Sequence, residues 1–111
     1  MSRILKFIVD GQTLKQDPEC DFDNLVPGSE NYLKAEFSFS NEWKGMYKAA
    51  AFYSVMGKEY QPAILKDGRS CVIPTEALKN RAFKIQVGGK DANGEGIVTN
   101  KLTITQNGGN V

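Results

Sequence analysis

The order of apolar and polar positions along this chain is that of a β protein. From Leu33 to Phe39, Leu33, Ala35, Phe37 and Phe39 fall on one parity and Lys34, Glu36 and Ser38 on the other. A period of two is what a half-buried strand requires, because successive side chains point to opposite faces of a sheet. Phe83, Ile85 and Val87 alternate in the same way with Lys84 and Gln86. Residues 3–9 are β-rich and stop at the turn signal Asp10-Gly11. Tyr47–Ser54 carries three consecutive alanines, but its flanking aromatics, short length and the following Gly57 favour a strand. Such small side chains also let another sheet approach closely.

Weaker signals fill the rest. Glu59–Leu65 reads as a strand interrupted by Pro62, hence an edge or a bulge. Asp67-Gly68 is a hairpin signal leading into Ser70–Ile73, and Pro74 precedes a single helical turn near 75–80 whose Leu78 dips into the core. Gly88–Gly96 reads as a connecting loop before Ile97–Thr105, where Val98, Leu102 and Ile104 form the apolar set and Asn100 marks a break. Pro18 and Pro27 block a long helix in residues 12–30, which are expected to form an irregular acidic arm with a short edge strand at most. The tail 106–111 is expected to be flexible.

About seven short strands at regular spacing describe an all-β fold, an antiparallel immunoglobulin-like β-sandwich, with a small closed barrel as the other architecture. A length of 111 residues bounds this to one domain. A chain of this size buries roughly 65% of its unfolded surface, enough to stand without metals or disulfides. Cys20 and Cys71 could form one bridge, but nothing in their spacing demands it, and they read rather as two free buried thiols.

Charge changes the picture only locally. Net charge is +1, yet residues 1–30 carry three basic side chains against six acidic ones, and residues 31–111 eleven against seven. Neither balance makes the concentrated positive field of a nucleic-acid binder. No apolar run has the length of a signal peptide or of a membrane span, so no membrane association is expected and synthesis in a cytoplasm is the default.

The chain has no histidine, which removes Ser-His-Asp and Cys-His nucleophiles and histidine-based zinc sites. Asp17, Glu19, Asp21 and Asp23 alternate and offer hard oxygen ligands or a carboxylate pair. They lack the EF-hand spacing and any apolar surrounding that raises a carboxyl pKa, so they read as a solvated arm suited to docking on a basic neighbour. Gly88-Gly89-Lys90 is no P-loop, lacking its spacer and its Ser/Thr. Trp43 and Tyr47 are the aromatics to weigh between core and interface, since tryptophan and tyrosine offer large contact area at low entropic cost. The candidate interface residues are thus Trp43, Tyr47, Asp17, Glu19, Asp21 and Asp23, with no catalytic residue, metal ligand or cofactor expected.

Two longer passages carry a resemblance. Asn31-Tyr32-Leu33-Lys34-Ala35-Glu36-Phe37-Ser38-Phe39-Ser40-Asn41-Glu42-Trp43-Lys44-Gly45, followed by Lys48-Ala49-Ala50-Ala51-Phe52, is the first. Cys71-Val72-Ile73-Pro74-Thr75-Glu76-Ala77-Leu78, followed by Phe83-Lys84-Ile85-Gln86-Val87-Gly88-Gly89, is the second. Together they resemble small β domains of virion proteins of bacteriophages infecting Gram-positive bacteria, found at the N-terminus of baseplate or tail-fibre proteins and in head-fibre or decoration proteins. The resemblance covers roughly residues 30–105 and carries over no catalytic residue. It implies a non-enzymatic accessory subunit of the particle, present in multiple copies and bound to capsid, tail or baseplate proteins. The ending soon after residue 105 is read as favouring a short decoration or baseplate component over a receptor-binding fibre. Two rivals remain: a soluble binding module that inhibits a host defence protein or binds cell-wall carbohydrate, and a small hydrolase using the carboxylates at 17–23.

Overall fold

The computed structural model of the chain describes residues 2–106. The β-rich first segment forms β1 (Arg3–Asp10), whose Leu5, Phe7 and Val9 are buried. Gly11, at φ 57°, makes the tight turn into β2 (Thr13–Gln16), an edge strand antiparallel to β1. On the other side of β1 lies β3 (Leu33–Phe39). This pair is parallel, with Leu5 opposite Ala35 and Phe7 opposite Phe37, the two rings stacked at 5.3 Å. The expectation of a wholly antiparallel sandwich is therefore corrected. A parallel pair needs a crossover of a dozen or more residues, and residues 17–32 supply it.

The acidic arm is that crossover, and it is not free. Asp17 donates its N–H to the Lys6 carbonyl, continuing past the end of β2. Leu25 is buried, Phe22 meets Phe7 edge-on at 5.4 Å, and Gly28 donates to the Leu78 carbonyl. The arm thus closes one end of the core. Deleting residues 1–30 removes β1 from the interior of its sheet, so a folded sandwich cannot survive that truncation.

The chain then makes a 3-10 turn (Asn41–Trp43) and enters β4 (Tyr47–Ser54), with Ala50 and Phe52 inward. Two-residue β5 (Ala63–Ile64) edges β4. The Asp67-Gly68 turn that follows is not a hairpin. It carries the chain across to β6 (Ser70–Val72), which pairs with β3 in the opposite sheet. The helical turn α1 (Thr75–Leu78) buries Ala77 and Leu78, as its apolar positions imply.

β7 (Ala82–Lys90) is the inner strand of the second sheet and runs through Gly88-Gly89-Lys90, which was expected to be loop. β8 (Gly96–Val98) and β9 (Leu102–Thr105) both pair with β7, as two halves of one strand broken at 99–101. Gly88 lies opposite Val98, so Val98 points outward and is 56% exposed, while Ile97 packs on the core. Among the described residues this makes nine strands in two sheets, ordered β2-β1-β3-β6 and β5-β4-β7 with β8 and β9 beyond. The excess over seven comes from β2, in the arm where a short edge strand at most was expected, and from the broken strand, which counts as two.

Asn100 sits at the break and joins the sheets along one seam. Its amide accepts from the Leu14 N–H at 2.7 Å and donates to the Leu14 carbonyl at 3.2 Å, taking the place of a neighbouring strand for β2. Its own N–H reaches the Gln12 carbonyl, and Gln12 Nε2 donates to the Val98 carbonyl at 3.1 Å. Among the described residues, the other seam, between β5 and β6, has no such ladder. Gln106 is fully buried and donates Nε2 to the carbonyls of Leu78 and Asn80, so the expected flexible tail does not begin there. Residues 107–111 of that tail lie outside the described residues.

Candidate interaction surface

Trp43 was a candidate for either core or interface; it is fully buried and belongs to the core. Its sequence neighbours Asn41, Glu42 and Lys44 are exposed, and the 3-10 turn aims the indole alone inward. Nε1 donates to the Gly11 carbonyl at 2.8 Å, and the ring lies 5.3 Å from Phe39. Ser40 Oγ, which accepts from the Gly11 N–H at 2.9 Å, donates to Glu42 at 2.8 Å and completes the junction. Beside it opens a cleft of about 320 Å³ whose lining includes Phe39, Lys44, Lys48 and Arg69. Lys48 is already engaged there, 5.1 Å over the Phe39 ring and donating to the Met46 carbonyl.

The four alternating acids do not form a common site. Residues 17–24 are a succession of turns rather than an extended segment. Asp17 Oδ1 accepts from the Glu19 N–H at 2.9 Å, and Asp21 Oδ1 from the Asp23 N–H at 2.8 Å, so each shapes its own turn. Arg3 binds the arm through the main-chain carbonyls of Asp21, Asp23 and Asn24. Among the described residues no three His, Cys, Asp or Glu side chains are grouped so as to hold a metal ion.

Tyr47 is 82% exposed at the start of β4 and remains a candidate contact residue. It stands at the rim of a surface that sequence reasoning missed. Ala49 is opposite Ile64 on one side and Gly88 on the other, and Gly88 is opposite Val98. Because Ala50 and Val87 point inward, this whole row points out. Ile64, at 71% exposed, and Val98 bracket two residues with almost no side chain, so the row is flat and apolar across four strands. At the usual strand spacing it spans about 14 Å. Further along the face, Lys101 lies 4.1 Å over the Tyr53 ring, and the Tyr53 hydroxyl donates to Gln86 at 3.2 Å. Burial first, and then Glu59, push the Tyr53 pKa up, so this hydroxyl stays protonated at neutral pH.

Both cysteines are free, as expected, but half-buried rather than buried. Burial, with Asp67 adding to it, pushes the Cys71 thiol up to about 12, which makes it a poor nucleophile. Cys20 Sγ lies against the backbone, accepting from the Lys6 N–H at 3.3 Å. These features define a two-sheet β protein whose most distinctive surface is a flat apolar sheet face. Comparison of the chain with family models, with curated proteins and with solved structures finds no match.

Proposed function

We propose that this chain is a non-enzymatic structural protein of a bacteriophage particle. In this reading the sandwich is immunoglobulin-like, and several copies attach to capsid, tail or baseplate proteins through protein–protein contacts. The observation that carries the reading is the row Ile64–Ala49–Gly88–Val98, an exposed flat strip with Tyr47 beside it. Contiguous apolar surface framed by polar residues is characteristic of interaction sites, and tyrosine is favoured at them. The resemblance of residues 30–105 to virion β domains supplies the particle as the setting.

The test is mass spectrometry of purified particles, followed by co-sedimentation of the added protein with particles lacking it. Wild type is expected in the particle fraction, and the variant Ile64→Asp/Val98→Asp, whose changes lie on exposed positions, in the supernatant. Absence of the wild-type chain from particles overturns the reading and moves a soluble binding module, recovered with one host protein, to the front.

A further inference from the structure

The second seam of the sandwich holds an unfilled position for a strand. In the β3–β6 ladder, Phe37 N–H donates to the Arg69 carbonyl at 2.8 Å and Ile73 N–H to the Leu33 carbonyl at 3.0 Å, with Ala35 opposite Cys71 between them. Main-chain groups alternate sides along an antiparallel strand. Arg69, Cys71 and Ile73 therefore face β3, and Ser70 and Val72 turn theirs the other way. The Ser70 N–H is taken by Asp67 Oδ1 at 2.7 Å. The Ser70 carbonyl and both main-chain groups of Val72, with no partner among the described residues, are directed into a groove of about 570 Å³ between β6 and β5. β5 does not pair with them, since it belongs to the other sheet.

The groove's side chains specify what lies in it. Ile64 and Val72, 71% and 41% exposed, offer apolar contact. Lys34 and Lys66 supply positive charge. The one acid of the lining, Asp67, has both oxygens occupied: Oδ1 by the N–H groups of Arg69 and Ser70, Oδ2 by the Ser70 hydroxyl at 2.6 Å. Pairing two β6 edges from two copies brings four lysines together with only two carboxylates, those of Asp67, and this surplus of positive charge disfavours a second copy as occupant. Lysine on an open edge also deters neutral strands, so the same charges that guard the edge select an acidic one.

We infer that the β5–β6 groove binds an extended acidic segment of another protein, which adds to β6 as a short antiparallel or parallel strand. The inference rests on the groove itself and holds whichever assembly or host protein supplies the segment.

The test is an NMR titration of the ¹⁵N-labelled full chain with two hexapeptides, one alternating glutamate with valine and one alternating lysine with valine. The acidic peptide is expected to shift amides within residues 63–73 and to slow hydrogen exchange of the Val72 amide at least tenfold, and the basic peptide to do neither. Val72→Pro removes the outward N–H, which the β3 ladder does not use, and is expected to abolish binding while the rest of the spectrum is kept. Lys34→Glu/Lys66→Glu is expected to exchange the preference to the basic peptide, and decides the matter should Val72→Pro fail to fold. No shift at millimolar acidic peptide, equal shifts with both peptides, or an unchanged preference in the lysine variant overturns the inference. Particle co-sedimentation is a separate readout, so failure of the particle reading leaves this titration intact.

Discussion

Gly88→Ala and Gly89→Ala add the same methyl group to adjacent residues of β7 and have opposite expected effects. A Cβ at Gly89 falls 2.8 Å and 2.9 Å from Trp43 Cζ3 and Cε3, and 3.3 Å from Met46 Sδ. Comfortable carbon–carbon separation is about 3.5–4.0 Å, so the methyl is roughly 0.7 Å or more too close to the ring. The indole has no room to retreat, being fully buried and held by its hydrogen bond to the Gly11 carbonyl. Overpacking of this kind costs about 1–3 kcal/mol. A Cβ at Gly88 instead meets Val98 Cγ1 at 3.5 Å and the Ile97 carbonyl at 3.8 Å, ordinary contact. That variant should gain about 0.4–1 kcal/mol, since alanine restricts the unfolded chain more than glycine does. The gain is common to both variants, so the difference between them isolates the steric cost at Trp43. For a domain of this length a 2 kcal/mol gap is about 8 °C in midpoint. Urea and thermal unfolding followed by fluorescence measure it directly, because Trp43 is the sole tryptophan. Equal midpoints for the two variants, or a more stable Gly89→Ala, refute the packing account. In a Trp43→Phe background the penalty of Gly89→Ala should shrink, which a double-mutant cycle reads as coupling.

Three further outcomes follow from the same geometry. Asn100→Ala leaves the Leu14 N–H and carbonyl without their partner and should cost about 1–3 kcal/mol, with Leu14 amide exchange accelerated well beyond that of Phe7. Gln106→Ala removes the Nε2 donor from the Asn80 carbonyl and leaves the Leu78 carbonyl with the Gly28 N–H alone, and should cost about 1–3 kcal/mol in urea unfolding. Asp67 is held at about 2, first by the Ser70 hydroxyl and then by the Arg69 and Ser70 N–H groups. A depressed folded pKa contributes stability above the unfolded value and loses it as pH falls, so the gap between wild type and Asp67→Ala should be constant at pH 5–7. It should close between pH 4 and 2, and urea midpoints that keep a constant gap down to pH 2 would contradict this.

The strands with strict alternation, β3 and β7, were legible because burial of one face leaves a local record, whereas β1, with Ile4 and Ile8 on its outer face, was legible only from its β-rich composition. Pairing partners leave no such record. The pattern of β1 is the same whether β3 runs parallel or antiparallel to it, and only the length of residues 17–32 permits the parallel choice. Asp67-Gly68 specifies a turn but not which sheet receives the next strand. Gly88-Gly89 reads as loop from composition, yet Gly89 is glycine because an indole from a distant turn lies against it. Trp43 reads as either core or interface because its neighbours are polar, and those neighbours describe the turn's outer side and not its inner one. The row Ile64–Ala49–Gly88–Val98 is assembled from four strands, two of its members having almost no side chain, so hydropathy has nothing to register until the sheet order is known. The regular spacing of the acids suggests an extended segment, but Asp17 and Asp21 each close a turn on the N–H two residues on, so the segment bends instead.

With one seam stitched by Asn100 and the other open, the two sheets are bound like the covers of a book. Asn100 is the spine; β5 and β6 are the fore-edge, and the Asp67 turn is a clasp across it. Thermal opening should therefore begin at the fore-edge and leave the spine shut, so the least stable region of the fold is also its most accessible one. A circularly permuted chain with new ends at Gly68 unfastens the clasp while sparing the spine, and turns a fixed groove into one that parts.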